Sequence, residues 1–374
     1  MSNELFLLVL ASLFAALFTW AFRALPKEQW QILAAVPLTK GGNGEWHGLN
    51  LTYYGFFQAT SNSLAVAMAF ILFGAIGVTT NAIFALTVLL FAVCWTASKL
   101  IVWLIERRQH LFTVGGAVFA GTLALPWLIG LLNHSSGDAL GGTIPVIPAL
   151  AVVSVAYAYG EGLGRLACIS FGCCYGKSLQ ELSPRLRRLL SSFSFTFTGA
   201  MKKAAYEGRL EGIRIAPVQA MTSVVFISIA LVGTYLFLQS WFIGALLTTM
   251  IMTQLWRIFS ETLRTRSNRT LRRFSPYQMM AIITVAYITI IAVMFSVEQT
   301  ESTEISAGLA TFWNPLVLLF CQLIWVVVFL ITGRSSVTGS KLYFYVHQDR
   351  VKGHRPSGEI GAQNGSDHMP AGSS

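Results

Sequence analysis

Two stretches of this chain carry ionisable residues into strongly apolar surroundings. The first is Gly160-Glu161-Gly162-Leu163-Gly164-Arg165-Leu166-Ala167-Cys168-Ile169-Ser170-Phe171-Gly172-Cys173-Cys174-Tyr175-Gly176, which closes a long apolar run. Glu161 and Arg165 are four apart, so on a helix they share a face and can pair. A charge at membrane depth is costly and marks a functional candidate by default. Arginine offers five donors in a planar fork, a geometry that suits a phosphate. The same pair could equally be a structural clamp on the helix end, and spacing alone leaves both readings open. Small residues at 160, 162, 164 and 167 let a second helix, or a lipid headgroup, approach the backbone.

The second stretch is Trp256-Arg257-Ile258-Phe259-Ser260-Glu261-Thr262-Leu263-Arg264. Arg257, Glu261 and Arg264 follow an i, i+4, i+7 spacing and line one helical face. Such a ladder can be a structural network, or it can hold one arginine ready for a phosphate while Glu261 orients it. Arg266, Arg269, Arg272 and Arg273 continue as a solvated, headgroup-facing run.

Cys168, Cys173 and Cys174 admit three readings. A metal site needs more ligands, and no Cys-x-x-Cys or nearby His supplies them. Reactive thiols are a second reading, since Arg165 would lower a neighbouring thiol's pKa. Small packing residues beside the glycines are the third, and the one favoured. Neither a metal nor a cofactor is expected. Cys94 and Cys321 sit in apolar runs and read as small hydrophobes. An odd count of five Cys argues against a disulfide framework. Tyr53 and Tyr54, opening a helix, suit a membrane interface. His47, Thr113-Val114-Gly115-Gly116 and Pro217-Val218-Gln219 are weak signals alone.

These residues must be positioned by a membrane scaffold. The 374 residues are 54% hydrophobic and 11% charged, with a mean hydropathy of +0.61. A soluble domain carries about 25% charged residues. Crossing a bilayer takes roughly 20 apolar residues, and the backbone must satisfy its own hydrogen bonds there. The apolar runs are continuous rather than alternating, which selects helices over a barrel. The expected class is an all-α polytopic membrane protein. Nine spans are expected, at 4–22, 52–76, 79–105, 111–132, 144–170, 217–239, 241–260, 277–296 and 312–332. The first lacks preceding basic residues and a cleavage site, and reads as an anchor. The stretch 177–216 is extramembrane, with a short strand around 191–200, and the tail 347–374 reads as disordered. The net charge of +10 lies in loops rather than in a basic domain, which argues against a nucleic-acid partner. It points to anionic lipid. With nine spans, the basic stretches 23–50, 106–110, 177–216, 262–275 and the tail share one face. The positive-inside rule assigns that face to the cytoplasm.

In order along the chain, these motifs resemble the bacterial prolipoprotein diacylglyceryl transferase family. Its tyrosine-glycine pair looks like Tyr54-Gly55, and its phenylalanine-histidine-glycine-glycine motif like Thr113-Val114-Gly115-Gly116. Its glycine-arginine signature resembles Gly164-Arg165 through Gly176, and its proline-x-glutamine resembles Pro217-Val218-Gln219. An arginine-rich helix resembles Arg257 through Arg264, and a glutamine of the last family helix looks like Gln278. The resemblance divides the chain into an anchor helix and linker at 1–49, a transferase-like core at 50–296, an added helix at 297–346, and the tail.

The resemblance implies a multi-pass enzyme of the bacterial inner membrane. It would move diacylglyceryl from phosphatidylglycerol onto the cysteine thiol of a prolipoprotein. Arg165 and Arg257 would hold the phosphate and its developing charge, assisted by Glu161. Tyr54, Gly115, Gly116, Gly164, Gln219, Glu261, Arg264 and Gln278 would line the headgroup site. Three departures matter. Val114 stands where the family has a histidine, Cys168 where it has an asparagine, and Cys173 where it has a glutamate. They imply another base or another acceptor, such as a glycan or an alcohol. A lipid-binding or transport protein on the same scaffold is the non-enzyme alternative. The family's site also faces the exterior, in conflict with the charge-based orientation.

Overall fold

Asn314 and Pro315 show how local sequence sets the elements. The Asn314 side chain accepts from the Leu316 amide at 3.0 Å, capping a new helix whose first residue is Pro315. Proline suits a first turn but breaks a helix interior. The span expected at 312–332 is therefore present as Pro315–Thr332, and a separate short helix, Ile305–Phe312, precedes it.

The computed structural model describes residues 2–40, 45–106, 114–137, 139–264, 276–295, 303–334 and 344–345. Its helices are α1 (Asn3–Ala24), α2 (Tyr53–Ala75), α3 (Thr80–Glu106), α4 (Val114–Ser136), α5 (Val146–Phe171), α6 (Pro184–Leu190), α7 (Lys203–Tyr206), α8 (Val218–Leu238), α9 (Phe242–Thr262), α10 (Pro276–Met294), α11 (Ile305–Phe312) and α12 (Pro315–Thr332). The strands are β1 (Ile32–Lys40), β2 (Glu45–Thr52), β3 (Phe195–Thr196), β4 (Arg214–Ile215) and β5 (Phe344–Tyr345). Among the described residues, nine helices are long and apolar enough to span a membrane, so the protein is an all-α polytopic membrane protein. The expected tail 347–374 and the arginine run after Arg264 lie outside the described residues.

Helix α5 is the centre. It is the most buried span, and α2, α8 and α9 pack against it. Its glycines serve that packing. A Cβ at Gly160 would lie 3.0 Å from the Ala65 Cβ of α2, and one at Gly162 would lie 2.9 Å from Ile227 of α8. With lipid as apolar as the core, small residues at the crossing let van der Waals contact hold the helices together. Helices α3 and α4 pair with one another, and α10 lies on α4 and α9. Helix α1 lies on α8, and α11 and α12 lie on α2, so both end spans are joined to the bundle.

One end of the bundle gathers the motif residues. Thr52 N–H donates to Gly333 O, Tyr53 N–H to Gln31 O, and Lys177 N–H to Leu263 O. These bonds tie the start of α2 to the end of α12 and to the segment before β1, and the segment after α5 to the end of α9. The segment expected to be a loop at 23–50 contains the antiparallel hairpin β1–β2 instead, with β5 on its outer edge. The Gly-Gly-Asn-Gly turn signal at 41–44 is its trace in the sequence. The strand expected around 191–200 is present as β3, only two residues long and paired with β4.

Candidate functional site

The site is built at the last turns of α5 and α9. Glu161 and Arg165 form the ion pair their spacing suggests, with side chains only 6% and 11% exposed. Arg257, a turn and a half from the end of α9, donates from Nη1 to the Tyr157 hydroxyl at 3.1 Å. Tyr157, Glu161 and Arg165 fall at i, i+4 and i+8 on α5, so one face carries all three. Arg257 and Arg264 are electrostatic neighbours of the same Glu161 carboxylate. One carboxylate thus pairs with Arg165 and feels two further guanidinium groups. The Nε–H groups of Arg165 and Arg264 are buried and donate to no partner among the described residues. Buried donors without partners are rare and call for a ligand or water.

The other sequence-selected residues divide into groups. Gly115, at the start of α4, makes room for the cluster: a Cβ there would lie 2.9 Å from Arg257 Nη2 and 3.2 Å from the Tyr277 ring. Gly116 is buried beside it. Gly164 faces α2, where a Cβ would meet the Ser61 hydroxyl at 3.3 Å, so helix packing accounts for it. Gln278 donates to Ile258 O at 3.4 Å and holds α10 to α9, and Glu261 is half-buried one turn beyond Arg257. Tyr54 accepts from Gln58 at 3.4 Å and stands edge-on to Phe171. His47 falls in β2 with its backbone paired to Thr39, while its side chain and the whole of Thr113 lie outside the described residues.

Cys168, Cys173 and Cys174 are brought together by the turn after α5. Gly172, in the left-handed region at φ 74°, ends the helix, and its N–H and that of Cys173 both return to Cys168 O. Gln219 Nε2 clamps the Cys173 carbonyl at 2.8 Å. Cys174 is itself left-handed, at φ 53°. The three sulfurs lie within 4.8 Å of one another. Thiol donors from Cys168 and Cys173, with the Arg264 and Arg165 guanidiniums, hold Cys174 well below the usual thiol range. Cys173, in the same set of hydrogen bonds, is pushed up. Glutamine 219 is therefore a positioning residue for this turn.

Two features had little trace in the sequence reading. Tyr157 was legible only as the residue one turn before Glu161. Lys202 had no signal at all. Its side chain is fully buried and donates to Leu25 O at 3.0 Å and to Ser170 O at 2.5 Å, fastening the extramembrane segment to the ends of α1 and α5. Burial pushes its pKa down to about 7. An open cleft of about 790 Å³, lined by Phe22, Arg23, Lys27, Glu28, Phe195 and Thr198 among others, opens near the end of α1 and shares no residue with the arginine cluster.

The arrangement can bind a phosphodiester or phosphomonoester through guanidinium donors at membrane depth. It also sets thiols beside those cations. No family model, curated protein or solved structure matches the chain.

Proposed function

We propose that this protein is a membrane transferase of phospholipid headgroup chemistry. It takes phosphatidylglycerol as donor and moves its diacylglyceryl group to an acceptor, the cysteine thiol of a prolipoprotein. The observation that carries this reading is the Arg165–Glu161 pair, with Arg257 and Arg264 in electrostatic reach of the same carboxylate and two buried guanidinium Nε atoms unsatisfied among the described residues. The reaction breaks a carbon–oxygen bond and leaves charge on a phosphate oxygen. Preorganised donors aimed at that charge lower the barrier because they need no reorganisation as it develops. Glu161 offsets part of the cationic charge when no lipid is bound and keeps Arg165 in place. The inner-membrane location and the lipoprotein acceptor rest on the resemblance.

The test is turnover by the purified full chain in phosphatidylglycerol vesicles, with a cysteine peptide as acceptor, read by mass spectrometry of peptide and lipid. A peptide heavier by one diacylglyceryl group and release of glycerol phosphate are expected. Lipid binding without turnover would instead support a binding or transport protein.

A second reading is favoured by Val114, which supplies no proton acceptor where the family carries a histidine. In it, the same donor site serves a different acceptor, a glycan or an alcohol. Mass spectrometry of lipids and lipoproteins from cells with and without the protein separates the two.

A further inference from the structure

We infer that Cys168, Cys173 and Cys174 form a three-thiolate site for a zinc-type d10 cation, whose fourth position takes the acceptor thiol. This inference rests on the thiol-acceptor reading proposed above. It supplies what that reading lacks, a way to make a thiolate without the histidine.

The geometry is that of an open metal site. Zinc binds sulfur at about 2.3 Å in a tetrahedron, which places ligand sulfurs roughly 3.8 Å apart. The three sulfurs here already lie within 4.8 Å of one another, so closure takes about an ångström or less. The backbone is set for it. Gly172 reverses the chain after Cys168, Cys174 adopts a left-handed conformation uncommon for a residue with a side chain, and Gln219 fixes the peptide between them. A packing role asks for none of this. Local strain of this kind is typical of functional turns.

Charge complements the geometry. A divalent cation with three thiolates carries a net charge of −1. Arg165 and Arg264 act electrostatically on Cys174 and would balance it. Closed structural zinc sites have four protein ligands, whereas catalytic sites have three and leave one position for substrate. Cys168 is buried, Cys173 half-buried and Cys174 exposed, so the open position faces outward, toward an incoming acceptor.

The chemistry then balances. The acceptor thiol binds as thiolate, and its proton passes to solvent. Its sulfur attacks the terminal glycerol carbon of the diacylglyceryl group. The S–C bond forms as the C–O bond to phosphate breaks, and the electron pair leaves on the phosphate oxygen beside the arginines. Nothing is oxidised or reduced.

Metal-stripped full-length protein in detergent is titrated with Co2+, which reports thiolate ligation by a charge-transfer band. One equivalent per chain is expected. Cys168→Ser, Cys173→Ser and Cys174→Ser should each weaken binding about tenfold or more. Cys94→Ser and Cys321→Ser should leave it unchanged. Adding a cysteine peptide, but not its serine counterpart, should shift the cobalt ligand-field bands. Absence of the band in the unmodified protein overturns the site, as does equal affinity in the three variants. A peptide without effect overturns the fourth-ligand role. Cobalt binding with no lipid turnover under any condition would sink the transferase reading and leave the site standing. Undiminished turnover by stripped protein in chelator would sink the metal's role and leave the transferase reading.

Discussion

Arg257 on α9 donates to the hydroxyl of Tyr157 on α5 at 3.1 Å, a bond between residues 100 positions apart in the chain. It fixes a guanidinium that has no carboxylate in the preceding turn of its own helix, where Thr253 and Gln254 stand. Tyr157→Phe removes that bond and little volume. A hydrogen bond from a charged group contributes about 1.5–3 kcal/mol, so the rate should fall roughly 10- to 150-fold with expression unchanged. An unaltered kcat/KM would show that Arg257 is positioned by other contacts.

Arg165→Lys and Arg257→Lys should each cost on the order of 100- to 1000-fold in turnover, because lysine keeps the charge but lacks the planar fork. The structural alternative makes an opposing prediction. If Arg165 only neutralises Glu161, the double variant Glu161→Leu/Arg165→Leu should be active, since a buried pair is often dispensable when removed together. An active double variant ends the catalytic role of Arg165.

Gly115→Ala places a Cβ 2.9 Å from Arg257 Nη2. The guanidinium is the far end of a flexible side chain, so the fold can yield by moving it. Such misplacement should lower kcat roughly 10- to 100-fold. Thermal stability should hold or rise slightly, since Ala is the better helix former. Loss of folded protein would mean that Gly115 serves packing alone.

Lys202 should make stability pH-dependent. Burial lowers its folded pKa to about 7, against about 10.4 in the unfolded chain. Between these values the unfolded state binds more protons, so this group's contribution grows as pH rises and is lost as pH falls through 7. The neutral amine keeps two N–H donors for the Leu25 and Ser170 carbonyls. The gap in Tm between the unmodified protein and Lys202→Met should therefore widen from pH 7 to pH 9. A constant gap would refute the buried titration.

Orientation separates two expectations. The lipoprotein reading needs the motif face outside, whereas the distribution of lysine and arginine assigns it to the cytoplasm. Ser192 is exposed in the extramembrane segment. In a chain whose only cysteine is introduced by Ser192→Cys, an impermeant thiol reagent should label intact spheroplasts. Protection until lysis would exclude a prolipoprotein as acceptor and favour a cytoplasmic one.

The nine spans and the Glu161–Arg165 pair were determined by the sequence itself. Both depend on short-range rules: a bilayer demands about 20 apolar residues whose backbone bonds are internal, and a helix brings i and i+4 together. What joins distant helices was decided only in the tertiary structure. A span facing lipid and a span facing protein are both apolar, so periodicity says little about which face turns inward. That is why Arg257 could be picked out as an arginine at membrane depth, and Gly115 from its motif, but not the contacts that join Arg257 to Gly115 and to Tyr157. The sulfur cluster depends on two left-handed residues, Gly172 and Cys174, whose conformation a Cys-x4-Cys-Cys spacing does not reveal. Lys202, in a segment that reads as solvated and basic, is buried because the ends of α1 and α5 present two carbonyls to it. That arrangement exists only once the bundle has packed.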